Sequence, residues 1–333
     1  MIVEGKKSLM ILVKSILEEY SDENHFLTQK EIVDLLYSDY GLEVERKAVG
    51  RAIRDLDELE ICDINKQERG GVAIFSRLYD DTEVQFITDA ALSSRGITSS
   101  QAQRIIEKSN SVLSKYKRKS YSYVKKTSQI NRSENNNVFF NLELINDAIR
   151  QNKKISFQYA FYDLDLKMRA RKGGYFYKVS PYYVINNFGR YYLLCHYRDD
   201  YSVLITFRID YLLELKILDE NALPLKSFPG YEKFEVSEYM NNHIYLFNGD
   251  VCEARIKVDK QTNIINVVDW FGKKIKVTKE NDGIYIDLVA NENSLIYWMM
   301  QYGEHFTLIS PDYLVEKLKE SLKTQLNKYD KKD

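Results

Sequence analysis

The stretch VSPYYVINNFGRYYLLCHY, residues 179–197, holds two runs of β-branched and aromatic residues on either side of Asn-Asn-Phe-Gly. Such runs are typical of β-strands, and Asn and Gly favour the tight turn of a hairpin. Similar runs lie at 155–161 and 203–218. The first of the two runs in the quoted stretch begins earlier, at residue 175. Residues 138–225 are therefore predicted to form a mainly β domain, which holds 11 of the 26 tyrosines.

The residues before this domain have helical periodicity instead. Thr28 and Glu31 have the spacing of a capping box, which predicts that a helix begins there. A short connection containing Gly41 leads to another helix at about 46–59, so the pair indicates a helix-turn-helix. Two short β runs, 62–64 and 72–75, follow and predict a wing.

The chain has 333 residues, of which 44% are hydrophobic, and this length suits several domains. The last hundred or so residues mix strand and helix patterns, as α+β domains do. The predicted fold class is multidomain α+β. Its four parts are a winged helix-turn-helix at 1–80, a helical connector and linker at 81–137, the β domain at 138–225 and an α+β extension at 226–333.

The composition disfavours several classes of protein. The three cysteines are far apart and form no Cys-x-x-Cys pair, which argues against a disulfide framework or a cysteine zinc site. Neither a signal-peptide pattern nor a membrane-spanning apolar run is found, so we expect a soluble cytoplasmic protein. Nucleotide-loop, zinc-protease and serine-hydrolase motifs are missing, so we expect no catalytic residue, metal or cofactor, and an enzyme ranks third among the functions.

The predicted helix at 46–59 has two different sides. At about 100° per residue, its apolar residues share one side, while Lys47, Arg51 and Arg54 share the opposite one. A recognition helix needs basic side chains there for phosphates and guanine edges. An ordinary solvated surface is the alternative, and it is favoured by the 11 basic against 17 acidic residues of 1–80.

In the β domain, strand alternation places Tyr192 and His196 on one face of their strand. In the next strand Arg208 lies between apolar positions, where a buried charge is costly without an anionic partner. A concave site for an anionic ligand is one explanation. The other is an ion pair within the protein, with Asp210, Asp199 or Glu214.

Taken together, these features resemble the bacterial WYL-domain transcriptional regulators over nearly the whole chain. The resemblance is carried by the helix-turn-helix of 28–59 and by the segments RLYDDTEVQFITDAALSSRGITSSQAQRIIEKSNSVLS (77–114), INDAIRQNKKISFQY (145–159), VSPYYVINNFGRYYLLCHY (179–197), FRID (207–210), VVDWFGKKIKV (267–277) and WMMQYGEHFTLISPDYLVEKLKESL (298–322). It implies a central WYL domain with an Sm-like β-barrel at 138–225 and a C-terminal extension of the type called WCX at 226–333.

The family's Trp-Tyr-Leu motif falls on Tyr191, Tyr192 and Leu193. The arginine of its downstream motif falls on Arg208, whereas the second arginine of that motif is Tyr211 here, which removes a cation suited to phosphate. The resemblance therefore implies an effector site at Tyr159, Tyr191, Tyr192, Arg208 and Tyr211. Strand alternation adds His196 to this site, and Arg169, before the VSPYY strand, is expected to compensate for the missing cation.

The function implied by the resemblance is a DNA-binding transcriptional regulator whose WYL domain senses a ligand and modulates operator binding. Its partners would be a double-stranded DNA operator, an anionic effector such as a nucleotide or single-stranded nucleic acid, and a second copy in a homodimer; no membrane partner is expected. The residues expected at the DNA are Thr28, Gln29, Lys30, Arg46, Lys47, Arg51, Arg54 and, at the tip of the wing, Arg69.

An accessory protein that binds single-stranded nucleic acid without regulating transcription is the alternative function. Its WYL domain would act together with the basic, tyrosine-rich stretch KYKRKSYSYVKK at 115–126. Aromatic rings beside cations are the usual platform for unpaired bases. Duplex binding that depends on Arg51 and Arg54 would distinguish the regulator from this alternative.

Overall fold

The computed structural model describes residues 6–67, 70–120, 132–198 and 204–330. The chain divides into two compact units, an N-terminal unit of residues 1–136 and a C-terminal unit of residues 137–333. Both contain helices and strands, which confirms the predicted multidomain α+β class. The finer division into four domains stays a prediction.

The N-terminal unit begins with three helices and a small antiparallel sheet. The helices are α1 (Lys6–Tyr20), α2 (Gln29–Tyr40) and α3 (Arg46–Glu58), and the strands are β1 (Leu27–Thr28), β2 (Ile64–Lys66) and β3 (Gly71–Ile74). β3 lies between β1 and β2. The apolar sides of the helices meet in one core, whose fully buried residues include Val13, Leu17, Ile32, Leu36, Val49 and Leu56.

Local chemistry explains where α2 begins and ends. The Thr28 hydroxyl accepts a hydrogen bond from the backbone N–H of Glu31, and the Glu31 carboxylate accepts one from the backbone N–H of Thr28 (2.7 Å). This is the capping box that the sequence predicts. At the other end Gly41 has a left-handed conformation, with φ of 64°, which side chains with a Cβ rarely adopt. The turn that follows leads into α3.

Three further helices belong to the described part of the N-terminal unit: α4 (Asp81–Ser93), α5 (Ser99–Asn110) and α6 (Lys115–Ser120). Buried polar contacts join them to the end of α1. Asp22 accepts a hydrogen bond from the Ser114 hydroxyl (2.5 Å). Arg77 donates to the backbone carbonyls of Ser21 (2.6 Å) and Val112 (2.8 Å). The predicted connector is thus bonded directly to the residues that follow α1.

The first half of the C-terminal unit is one helix packed on a bent antiparallel sheet. These elements are α7 (Val138–Arg150), β4 (Lys153–Tyr162), β5 (Met168–Ala170), β6 (Phe176–Asn187), β7 (Arg190–Tyr197), β8 (Ile205–Arg208) and β9 (Leu212–Asn221). The strand order is β5-β4-β6-β7-β8, and β9 returns to pair with β4. Ile145, Phe157, Leu193 and Ile209 form the centre of their core.

Backbone pairing does not close the predicted β-barrel, because this sheet is open, and the Sm-like arrangement of its strands stays a prediction. β8 has only 4 residues and ends in a 3-10 turn, Ile209–Tyr211, which directs the chain towards β4. Within the ranges that the structure describes, no backbone pairing joins β8 to β9. Side chains bond the outer edge of β8 instead: the N–H of Thr206 donates to Oδ1 of Asn248 (3.0 Å), and the N–H of Arg208 donates to the hydroxyl of Tyr159 (3.3 Å).

The second half of the C-terminal unit is an α+β assembly with a four-stranded sheet. Its elements are α8 (Val236–Asn242), β10 (Val251–Val258), α9 (Ile264–Phe271), β11 (Lys276–Glu280), β12 (Gly283–Asn291), α10 (Glu292–Tyr302), β13 (Phe306–Ser310) and α11 (Asp312–Asp330). From β10 to β13 they follow the order β-α-β-β-α-β, and the antiparallel sheet has the order β11-β12-β10-β13, as in ferredoxin-like folds. The fully buried Trp298 lies in the core between this sheet and its helices.

Candidate functional site

The first candidate site is the basic side of α3. Lys47, Arg51 and Arg54 are exposed there, opposite the buried Val49 and Leu56. In the part of the chain that the structure describes, none of these three cations makes an ion pair or a hydrogen bond. A row of unpaired cations along one side of a helix suits the phosphates and guanine edges of a nucleic acid.

Arg46, at the start of α3, is held in position by α2. Its Nε donates to Oε1 of Gln29, with an N···O distance of 3.1 Å. The Gln29 amide also lies against Gly50, where a Cβ atom would be only 3.0 Å from Nε2. Because Gly50 has no side chain, the start of α2 can approach α3. Gln29 and Arg46 thereby join the basic side of α3.

The remaining residues predicted at the DNA differ in their positions. The Thr28 hydroxyl is used within the protein, since it donates to the Glu31 carboxylate (2.8 Å) besides capping α2. Lys30 is exposed in the first turn of α2. Arg69 lies outside the described residues. A phosphate at this helix start would therefore meet Lys30 and backbone N–H groups rather than the Thr28 side chain.

Acidic side chains near the end of α1 are neutralised within the N-terminal unit. Glu19 pairs with Arg118 of α6. Lys117, also on α6, bridges Glu23 (2.7 Å) and Asp81 (2.6 Å). The acidic excess counted over residues 1–80 is therefore partly balanced by cations that follow this range in the sequence.

These pairs also change the interpretation of the basic stretch 115–126. Lys117 and Arg118 are engaged with carboxylates, and Lys115 lies over the ring of Tyr20, with Nζ 3.9 Å from the ring centre. Lys125 and Lys126 lie outside the described residues. The described cations of this stretch serve the packing of α6 rather than an open nucleic-acid surface.

The second candidate site surrounds Arg208 in the C-terminal unit. The guanidinium makes two hydrogen bonds to Asp210, from Nε to Oδ1 (3.1 Å) and from Nη2 to Oδ2 (2.7 Å). Its Cζ lies 4.1 Å from the ring centre of Tyr211. The Arg208 side chain is 25% exposed, whereas that of Asp210 is only 2% exposed. The carboxylate therefore holds the guanidinium from the inside and leaves part of it open to solvent.

Two partly buried tyrosines complete this cluster. The Tyr159 hydroxyl accepts the backbone N–H of Arg208, and Tyr192 lies opposite Arg208 in the β7–β8 pairing. Burial raises the pKa of Tyr159 to about 12 and also raises the pKa of Tyr192. Both hydroxyls therefore keep their protons at neutral pH. They can donate hydrogen bonds to an anion bound beside the guanidinium.

Arg171 supplies a second cation to the cluster. Its Cζ lies 5.5 Å from the ring centre of Tyr159, and its backbone N–H donates to the Tyr159 carbonyl (2.8 Å). The sequence prediction names Arg169 instead, which pairs with Asp163 (3.0 Å) in the β4–β5 hairpin. Residue type alone does not distinguish these two arginines. They differ in position, because β5 ends at Ala170, so that Arg169 lies within the strand and Arg171 directly after it.

His196 and Tyr191 lie away from this cluster. His196 is buried, stacks on Phe228 with ring centres 3.6 Å apart, and contacts the Tyr182 hydroxyl through Nδ1 (3.2 Å). It is four residues from Tyr192 along β7, a separation of about 13 Å. Tyr191 is half-buried against the core. The structure thus brings together Tyr159, Tyr192, Arg208 and Tyr211, but not His196, Tyr191 or Arg169.

Among the described residues, no helix is long and apolar enough to cross a membrane. In the same part of the chain, no group of three or more His, Cys, Asp or Glu side chains is arranged to hold a metal ion.

Residues 141–217 match the family model of the WYL domain. This range contains Tyr159, Tyr192, Arg208 and Tyr211, so the second cluster lies within the region that matches the WYL-domain model. A comparison with curated proteins gave no significant match.

Two solved structures are similar to the chain at low identity. For proteasome accessory factor B/C (PafBC) of Arthrobacter aurescens, the identity is 14% and the TM-score 0.29, over 98% of this chain and 49% of that one. This chain therefore spans about half the length of that protein. A CRISPR Cas-related protein, known from a crystal structure, has 14% identity and a TM-score of 0.36, over 99% of this chain and 87% of that one. TM-scores this low support no inference about function.

Proposed function

We propose that this chain, whose residues 141–217 form a WYL domain, is a transcriptional regulator that binds an operator in double-stranded DNA under the control of an anionic effector. In this proposal the N-terminal helices and the β2–β3 hairpin act as a winged helix-turn-helix. α3 would lie in the major groove and the wing beside the adjacent backbone. A homodimer would bind two half-sites.

The observation that carries the proposal is the row of unpaired cations on α3. Lys47, Arg51 and Arg54 are exposed on one side, while the opposite side is buried in the core. A hydrogen bond to Gln29 fixes the side chain of Arg46 at the N-terminal end of α3. In recognition helices, the residues at this end contact the bases. Water alone satisfies the cations of an ordinary surface helix, so the hydrogen bond that fixes Arg46 favours a binding surface.

The effector would bind at the Arg208 cluster. Asp210 fixes the guanidinium, so a phosphate can approach its open edge without a large loss of side-chain entropy. Arg171 adds a second positive charge near the ring of Tyr159. The rings of Tyr192 and Tyr211 offer stacking surfaces for a base, as in single-strand binding sites. A nucleotide or a single-stranded nucleic acid fits this combination.

Selection of bound fragments from genomic DNA, followed by affinity measurements on the selected duplex, tests the DNA-binding half. With Arg51→Ala and Arg54→Ala combined, we expect duplex affinity to fall and the log–log salt slope to shrink by about 2, since each lost phosphate contact removes about 0.9. Arg104→Ala with Lys108→Ala, on the exposed side of α5, is the matched control with the same charge change. Equal effects of the two double variants would contradict the proposal.

Binding of a fluorescent single-stranded oligonucleotide tests the effector half. Tyr192→Ala combined with Arg208→Ala is expected to abolish this binding while duplex binding remains. If the oligonucleotide no longer changes duplex affinity in this variant, the cluster is the control site. If no duplex is ever bound and single strands are bound through the same residues, the accessory protein is the better description.

A further inference from the structure

A cavity of about 530 Å³ lies in the C-terminal unit, away from the Arg208 cluster. It is bordered by Leu204 just before β8, by α8 and by Val251 at the start of β10. Small-molecule sites commonly have volumes of about 300–1,000 Å³. None of the residues proposed for the anionic effector lines this cavity.

Aromatic rings form much of the cavity wall. The ring centres of Tyr231 and Phe234 are 5.9 Å apart, and those of Phe234 and Tyr239 are 5.7 Å apart. His243 stacks on Tyr239, with ring centres 3.9 Å apart. The faces of phenol and phenyl rings carry negative partial charge, so they attract cations as well as apolar groups.

The charged residues of the cavity wall are mainly acidic. Glu235, Glu238 and Asp250 face a single basic residue, Lys233. Burial lowers the pKa of His243, so this imidazole is neutral at pH 7 and does not offset the carboxylates. An anionic ligand would be repelled here, whereas a positive one would be attracted. The charge preference is opposite to that of the Arg208 cluster.

The cavity therefore combines aromatic rings and a surplus of carboxylates in one place.

We propose that this cavity binds a small organic amine, whose ammonium group lies beside Glu235 and Glu238 and whose apolar part contacts the three aromatic rings. The amine would be a second ligand, chemically distinct from the anionic effector. Its site borders β8, the strand that holds Arg208, and the segment that carries Asn248, which bonds Thr206 of that strand. The proposal does not depend on DNA binding.

Calorimetric titration of the full-length chain with 2-phenylethylamine tests the proposal. The neutral near-isostere 2-phenylethanol and the anion 3-phenylpropionate probe the charge preference. We expect the amine to bind at least about tenfold more tightly than the alcohol, because the two carboxylates attract only the cation. The anion is expected not to bind.

Glu235→Gln combined with Glu238→Gln keeps the size of both side chains and removes their charge. We expect this variant to bind the amine about tenfold more weakly. Glu253→Gln with Glu304→Gln, two exposed positions outside the cavity, is the control and should bind as the unchanged protein does. Circular dichroism verifies that both variants fold.

Three outcomes would overturn the proposal. These are equal affinity for the amine and the alcohol, unchanged amine binding in the Glu235 and Glu238 variant, or no saturable amine binding at millimolar concentration. Phe234→Leu gives an independent measurement, since it removes a ring and no charge. Weaker amine binding in that variant is expected, and an unchanged affinity would count against the aromatic contribution.

Discussion

At the scale of single residues, Asp210 determines how Arg208 is presented. We expect Asp210→Asn to lower the free energy of unfolding by about 2 kcal/mol, because the guanidinium loses a charged partner that is almost fully buried. Binding of the single-stranded oligonucleotide should also weaken, although Arg208 itself is unchanged. Urea unfolding and fluorescence titration measure the two effects.

The exposed Asp269 provides the control for this change. Asp269→Asn should leave both the unfolding free energy and oligonucleotide binding within experimental error. If Asp210→Asn were equally harmless, the two hydrogen bonds between Asp210 and Arg208 would have no role in positioning the guanidinium.

The sequence predicts that Arg208 needs an anionic partner, but it leaves three candidates. Asp210 is the partner because the 3-10 turn after β8 brings this side chain back beside the guanidinium. Such a turn depends on where β9 pairs, which is a contact distant in sequence. The choice between Arg169 and Arg171 has the same origin, since it depends on strand register rather than on residue type.

At the scale of secondary-structure elements, Gly50 controls how α2 meets α3. We expect Gly50→Ala to raise the free energy of unfolding by about 0.5–1 kcal/mol, because alanine favours a helix over glycine. The new Cβ would press on the Gln29 amide at 3.0 Å, which can move. Duplex affinity should fall by about two- to fivefold as the Gln29–Arg46 hydrogen bond is displaced.

Thermal unfolding and duplex titration of the same preparation test these opposite effects. Gln29→Ala in the Gly50→Ala background removes the crowded amide and is the control for the steric argument. A lower unfolding free energy in Gly50→Ala would show that the Gln29 side chain cannot adjust. Unchanged duplex affinity would show that Gln29 does not direct Arg46 towards DNA.

The stability that Asp22 contributes, by joining the end of α1 to the segment before α6, is expected to depend on pH. Burial alone would raise the pKa of Asp22, but hydrogen bonds from Ser114 and with His25 outweigh it and hold the pKa below its ordinary value. Such a carboxylate stabilises the fold above its unfolded pKa of about 3.9. This stabilisation is lost as the pH falls through the lower, folded pKa.

Asp22→Asn should therefore be less stable than the unchanged protein at neutral pH. The difference should narrow as the pH falls through the folded pKa of Asp22. Urea unfolding at several pH values measures it, and Asp34→Asn, at an exposed position on α2, is the control. A difference that stays constant with pH would contradict this account.

The capped start of α2 and the extent of α3 follow from local sequence signals, and the structure agrees with them closely. Whether the β domain closes into a barrel does not follow from local sequence signals. β8 is too short to pair along β9, and this depends on the position of the 3-10 turn rather than on strand propensity. The Tyr159 hydroxyl instead bonds the free edge of β8, through the backbone N–H of Arg208.

At the scale of the whole molecule, the division into two units predicts separate roles. Residues 137–333, expressed alone, should unfold cooperatively and bind the single-stranded oligonucleotide as the full-length chain does. They should not bind the selected duplex, because α3 belongs to the N-terminal unit. Calorimetry and titration of the fragment test this, with full-length Arg208→Ala as the control for oligonucleotide binding. Loss of cooperative unfolding would show that the units depend on each other.

The net charge of a segment, counted along the sequence, misses ion pairs with residues of another segment. Residues 1–80 are acidic as a segment, yet Glu19 and Glu23 are paired by cations of α6, which belong to the next segment. A sum over consecutive residues ignores such pairs. The unpaired cations of α3 therefore describe the potential DNA-binding surface better than the net charge of the segment does.

The open sheet has a consequence for association between copies of this chain. An edge strand with unpaired N–H groups is a template for strand addition and for aggregation. In β8 the outward N–H groups of Thr206 and Arg208 are already bonded to Asn248 and Tyr159. Another chain could extend the sheet there only by displacing both side chains. Asn248 and Tyr159 thus protect this edge of the sheet from strand addition by another chain.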